Sequence, residues 1–166
     1  MAVQSTPDVQ APGDPAGPAP GVRFAGPGAR LAAFIIDWSV MAIVFVLLLF
    51  VLGAIVATTL GSAGTEGAGA AVIGMAVSAL VFVAFNLLYF PWSWSRGGQS
   101  VGMRLMAIKV VRDHDGGPVS FVAAVLRLLG YYINHLVLYI GFAWILVDRR
   151  KRGWHDLLAG TCVVDA

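Results

Sequence analysis

The stretch Arg30-Leu-Ala-Ala-Phe-Ile-Ile-Asp37-Trp38 opens an apolar run that continues without another charge to Leu60. About 20 mostly apolar residues in a helix cross the ~30 Å hydrocarbon core of a bilayer, so residues 31–60 are long enough to span it. Asp37 is the one charged residue in that run. An aspartate near the centre of such a helix costs about 2.5–3.5 kcal/mol, while each Leu, Ile, Val or Phe returns about 0.3–0.6. Between Leu31 and Val56 the run holds seventeen residues of those four types, so insertion withstands the carboxylate. Carboxylates inside membranes face a bundle interior or a wet cavity and have a partner. Asp37 therefore needs one.

The rest of the chain has the same character. Of 166 residues, 58% are hydrophobic and 12% charged, about half the charge of a soluble domain. Residues 70–90 form a second uncharged span, closed by Pro91 and the interfacial pair Trp92 and Trp94. The turn between the spans, TTLGSAGTEGAG, has no Lys or Arg, and all 11 basic residues lie outside it. A third apolar region, residues 121–147, contains Arg127, Asn134, His135 and Gly141. As one helix it would be about 40 Å long. Keeping Arg96, Arg104, Lys109, Arg112 and residues 149–152 together on the cytoplasmic side requires an even number of crossings. The expected form is a bent pair: a longer helix from about residue 121 to 135, then a short return element ending near Val147. A single steeply tilted span is the alternative.

Residues 1–29 are rich in Pro, Ala and Gly and form a second compositional unit. They read as a disordered cytoplasmic tail, kept because they lack the basic start and apolar core of a secretory signal. Residues 30–166 form the membrane domain. The central loop is too long and apolar for an idle connection. Its MRLMAIKVV has β-branched residues, and Asp115-Gly-Gly-Pro118 is a strong turn signal. A cytoplasmic interfacial hairpin is expected there, with an amphipathic helix presenting Val101, Leu105 and Ile108 as the alternative. The expected fold class is thus an all-α membrane protein, a small bundle of two spans plus a bent third and fourth element, carrying that hairpin. The formal charge of +2 gives no reason to expect nucleic acid, and Cys162, the single cysteine, allows no intrachain disulfide.

Several polar residues stand out. Arg30 and Asp37 are nearly two helical turns apart, on one stripe. Arg127, Tyr131, Asn134 and His135 form a second stripe at helical spacing. Asp37 is the only acidic residue inside any of these spans, which makes it the expected counter-charge for Arg127 or Arg30. Asn86 reads as an interhelical hydrogen-bonding group, and Ala70, Gly74 and Ser78 as a small-residue packing stripe. His135 reads as a hydrogen-bonded bundle residue. In the C-terminal DRRKRGWHDLLAGTCVV, the basic cluster and Trp154 anchor topology before a short amphipathic or extended segment. His155 beside Asp156 falls far short of a metal site. No nucleophile–base set, P-loop or dinucleotide fingerprint is present, so neither enzymatic activity nor a cofactor is expected.

Three motifs in order resemble the RDD family of bacterial membrane proteins: the opening Arg30-Leu-Ala-Ala-Phe-Ile-Ile-Asp37; the central Gly98-Gln-Ser-Val-Gly-Met-Arg104-Leu with Asp115-Gly-Gly-Pro118; and the closing Arg152-Gly-Trp-His155-Asp156-Leu-Leu-Ala-Gly160-Thr161. The likeness covers about residues 24–164. The family is named for one arginine and two aspartates. These fall on Arg30, Asp37 and, by its surrounding motif, Asp156, with Asp148 the other claimant. The resemblance implies a cytoplasmic-membrane protein and, as suggested for the family, transport of unidentified ligands. The expectation is a polar cluster of Arg30, Asp37, Arg127 and Asp156, with His135, Asn134, Asn86 and His155 in support. It would serve movement of an ion or small solute, within a homo-oligomer or with another membrane subunit in the lipid bilayer. A scaffold or assembly factor with purely structural charge pairs is the second expectation.

Overall fold

The two apolar runs become two long helices, α1 (Pro27–Leu60) and α2 (Gly64–Gly97), in a computed structural model that describes residues 17–60 and 64–166. Both are long and apolar enough to cross a membrane, over Pro27–Val56 and Ala68–Gly97. Their large apolar side chains, among them Phe50, Leu80 and Leu88, are mostly exposed, as lipid-facing surfaces require. The helices meet along the small-residue stripe. Ala70 and Ser78 are buried there, and a Cβ on Gly74 would lie 3.2 Å from Val56 Cγ2. Phe45 and Phe82 pack across the same seam with ring centroids 4.7 Å apart.

The third apolar region is the expected bent pair. Helix α4 (Phe121–Leu136), capped by Ser120, breaks at residues 137–139 before α5 (Ile140–Ala143) and a 3₁₀ turn (Trp144–Leu146). The two parts are inclined at 113°. Leu138 and Tyr139 make the break with left-handed backbone, φ 53° and 62°, and the Tyr139 N–H donates to the Asn134 carbonyl at 2.8 Å.

The expected hairpin is not what the loop forms. A short helix, α3 (Val101–Leu105), leads into strand β1 (Ile108–Arg112). That strand pairs antiparallel with the C-terminal β2 (Thr161–Asp165), in the register Ile108↔Asp165 to Arg112↔Thr161. The turn at residues 113–117 is present, but after Pro118 the chain enters α4 instead of returning beside β1. Val101 and Leu105 of α3 are exposed, whereas Ile108 is buried within the sheet.

The ordered domain also starts before residue 30. Phe24 bridges to Val164, and backbone bonds join Ala25 N–H to the Val163 carbonyl (3.0 Å) and Asp165 N–H to the Arg23 carbonyl (3.1 Å). The segment before α1 is therefore a short third edge on β2. Residues 1–16 of the expected tail lie outside the described residues.

Helix α6 (Trp154–Ala159) precedes β2 and lies against α4. The close approach depends on Gly130, where a Cβ would sit 2.6 Å from His155 Cα and 2.7 Å from His155 Cβ. In an isolated helix Gly→Ala is worth up to about 1 kcal/mol of stability. Here Gly130→Ala is expected to lower stability by about 1–3 kcal/mol through overpacking, read by thermal unfolding in detergent. Unchanged or higher stability would contradict this packing.

Candidate functional site

The start of α1, the middle of α4, α6 and β2 converge on one carboxylate. Asp156 is fully buried, and its Oδ2 accepts from the Arg30 guanidinium at 3.0 Å and from the Gly153 N–H at 3.0 Å. Its Oδ1 accepts from Arg127 Nη1 and from the Thr161 hydroxyl at 3.3 Å. As the third residue of α6, Asp156 also caps the helix through Gly153. Arg127 donates to the Thr161 hydroxyl at 2.9 Å and lies over the Trp94 and Tyr131 rings, 5.2 and 5.7 Å from their centroids. Arg30 donates further to the Val163 carbonyl at 3.1 Å.

Burial alone would push the Asp156 carboxyl up, but Arg127, together with Arg30, holds it well below the usual carboxylate range. His155 is its neighbour in every sense. Burial pushes that imidazole down to about 3 despite the adjacent carboxylate, so it is neutral at physiological pH. Asn134 Nδ2 stands 3.2 Å from His155 Nδ1, and His155 Nε2 stands 3.4 Å from Asp156 Oδ2. Nδ1 accepting from the amide leaves the proton on Nε2, directed at the carboxylate.

Asp37 is not part of this cluster. It is 5% exposed, and its partners are the Ser100 hydroxyl at 2.5 Å and the Gly102 N–H at 2.8 Å. The expectation that it neutralises Arg30 or Arg127 is corrected: among the described residues both arginines turn to Asp156. Helical spacing puts Arg30 and Asp37 on one stripe, but it cannot foretell which loop folds back on each. Ser100 is both the N-cap of α3 and the donor to Asp37. Gly102 allows this contact, since a Cβ there would collide with the Ala33 carbonyl and lie 3.0 Å from Asp37 Cγ. Sequence reasoning missed both as functional residues, although they lie within the quoted central motif. Thr161 and Trp94, which complete the arginine cluster, were missed too.

The remaining polar residues divide similarly. Asn134 is buried against His155, whereas His135 donates from Nδ1 to the Tyr131 carbonyl at 2.6 Å and stacks near Trp38 and Tyr139. Asn86 was expected to bridge helices but bonds back to its own Phe82 carbonyl at 2.9 Å. Asp148, the other claimant to the motif, pairs with Arg152 at 2.9 Å. Arg150 and Arg152 both reach Asp113, at 2.9 and 2.8 Å, which ties the basic tail to the central turn.

Between these groups lies a cavity of about 750 Å³. Arg30, Asp37, Asn86, Arg127, His135 and His155 line it, set among aromatic and aliphatic side chains of α1, α2 and α4. A space of roughly 300–1,000 Å³ with a few convergent polar groups has the dimensions of a small-molecule site.

Comparison with known proteins agrees with these motifs. The RDD family matches residues 24–160. A "Proline-rich antigen homolog" of Mycobacterium tuberculosis (strain CDC 1551 / Oshkosh) is 30% identical over 96 residues, 55% of this chain and 40% of that protein. The "Proline-rich antigen" of Mycobacterium leprae (strain TN) is 24% identical over 97 residues, 58% of this chain and 39% of that protein. The chain thus aligns with about two fifths of these relatives' length. No solved structure matches it. The chain belongs to the RDD family and is a membrane protein.

Asp37→Asn is expected to lower stability by about 1.5–3 kcal/mol, the worth of a hydrogen bond to a charged group. The amide retains one acceptor oxygen but opposes the other donor with an NH₂. Ser100→Ala should destabilise as well, and the double variant by less than the sum of the two. Ser100→Ala without effect in detergent unfolding would contradict the assigned partnership.

Proposed function

We propose that this RDD family member is a multi-pass protein of the cytoplasmic membrane that holds an ion or small solute in the cavity beside Arg30, Asp37 and Arg127. It moves that solute across the bilayer or hands it to a partner subunit. The observation that carries this reading is the cavity itself, because a chain that needed its charges only as locks would have no use for a roomy space beside them. Its role is binding and passage, not bond-making chemistry.

The basic residues orient the protein. Arg104, Arg112 and residues 149–152 belong to the loop and tail joined through Asp113, so the positive-inside rule puts this end, and with it the N-terminus, in the cytoplasm. Two spans and a bent pair enclose too little for a complete pathway, so a second copy or another membrane subunit supplies the remaining wall.

A specific observation favours the scaffold reading as well. Both oxygens of Asp37 and both of Asp156 already have partners within the chain. In that reading the charges only lock the fold, and the surface around the central loop contacts a partner protein.

Reconstitution in proteoliposomes separates the two. A panel of ions and small solutes should include one with saturable flux above protein-free vesicles. Ala143→Trp, which fills the cavity from its wall, should lower that flux by about tenfold, equivalent to about 1.4 kcal/mol. Absence of flux for the whole panel, with one stoichiometric partner crosslinked through residues 90–120, would overturn the transport reading in favour of the scaffold.

A further inference from the structure

The chemistry of the cavity wall narrows what can occupy it. Most of the lining is apolar, with Phe34, Phe82, Phe90, Tyr131 and Phe142 among its rings. Leu31, Trp38, Tyr132, Tyr139 and Leu146 line the cavity and are also exposed, the last by 75%. The entrance is therefore framed by apolar side chains. An apolar space with an apolar entrance holds water poorly and suits a molecule arriving from the hydrocarbon.

The polar end has a definite sign. Arg30 and Arg127 share one carboxylate, Asp156, and His155 beside them is neutral, so this buried cluster carries one excess positive charge. Four buried polar atoms of lining residues have no hydrogen-bond partner among the described residues: Arg30 Nε, Arg127 Nε, Trp94 Nε1 and His135 Nε2. The first three are donors. His135 Nε2 is an acceptor, because Nδ1 donates to the Tyr131 carbonyl. Buried donors without acceptors cost about 1–3 kcal/mol each, which an electron-rich ligand group would relieve. The other carboxylate on the wall, Asp37, accepts from the Ser100 hydroxyl and the Gly102 N–H, so both its oxygens have donors.

We propose that the cavity binds an anionic amphiphile, with its acyl chain along the aromatic wall and its carboxylate or phosphate oxyanion at the Arg30–Arg127 end. Arginine suits this role because its fork of N–H donors matches both oxyanions. The occupant is drawn from the membrane, and the donors engage it after modest side-chain adjustment. This deepens the solute-binding reading above and rests on it.

Native mass spectrometry of the purified full chain in nonionic detergent tests it with four probes of one chain length: dodecanoate, dodecyl phosphate, dodecanol and dodecyltrimethylammonium. The two anions should form one-to-one adducts at about tenfold lower concentration than the alcohol or the cation, a difference of about 1.4 kcal/mol. Ala143→Trp should weaken anion binding by a similar factor. Trp94→Phe, which keeps a ring but removes one donor, should weaken it by roughly two- to tenfold. Excess inorganic phosphate and acetate should displace neither anion.

Each contrary result is decisive. Preference for the trimethylammonium probe would assign the cavity to a cation. Equal adducts with all four probes would remove the role of the arginines while leaving solute binding intact. Displacement by phosphate or acetate would assign the site to a water-soluble anion. No saturable adduct with any probe would overturn this proposal, whereas adducts without vesicle flux would uphold it and overturn only the transport reading.

Discussion

One carboxylate shared by two buried guanidinium groups organises the cytoplasm-facing end proposed for this protein. A lone buried arginine is expensive, and breaking a buried pair costs about 3–5 kcal/mol because the surviving charge has no partner. Asp156 serves Arg30 from α1 and Arg127 from α4 at once, and its position at the start of α6 lets it cap that helix too. The consequence is topological. With α6 held on α4, β2 follows directly, and β2 supplies the partner for β1 on one edge and for Phe24 on the other. The second carboxylate then finishes the arrangement, as Asp37 draws the start of α3 onto α1 through Ser100 and Gly102.

This division of labour leaves the two arginines with less counter-charge than they can use. A pair of guanidinium groups sharing one carboxylate is stable when it also finds hydroxyl, carbonyl and aromatic neighbours, and here Thr161, Val163, Trp94 and Tyr131 provide them. Yet both arginines line an apolar cavity, and their buried Nε atoms have no hydrogen-bond partner among the described residues. A structural lock and a binding surface are therefore two sides of the same cluster, and the family motif contributes to both.

Much of this was legible in the sequence. The two spans followed from composition and length, and the bent pair followed from keeping the basic residues on one side. Arg30, Asp37 and Arg127 stood out as charges in apolar surroundings, and Asp156 through the family's closing motif. What could not be read was pairing at a distance. Ser100 lies 63 residues from Asp37, and Thr161 lies 34 from Arg127, separations on which helical periodicity is silent. The turn after β1 satisfied every local rule for a hairpin, but the strand found its partner near the C-terminus, where Thr161–Asp165 offers a short β-branched run without a turn signal of its own. Residues 22–25 read as the end of a Pro- and Gly-rich tail because backbone hydrogen bonds to β2, which have no side-chain signature, are what order them.

The most direct test of the shared carboxylate is a double-variant cycle between Arg127→Met and Asp156→Leu, with stability measured by unfolding in detergent. Arg127→Met leaves Arg30 and Asp156 as a balanced pair, Asp156→Leu leaves two arginines without a counter-charge, and the double change leaves Arg30 as the one charge. The double variant is expected to be no less stable than Asp156→Leu alone, with a coupling of about 2 kcal/mol or more. Effects that add to within about 0.5 kcal/mol would mean that the two groups do not depend on one another, and the account built on Asp156 would fall.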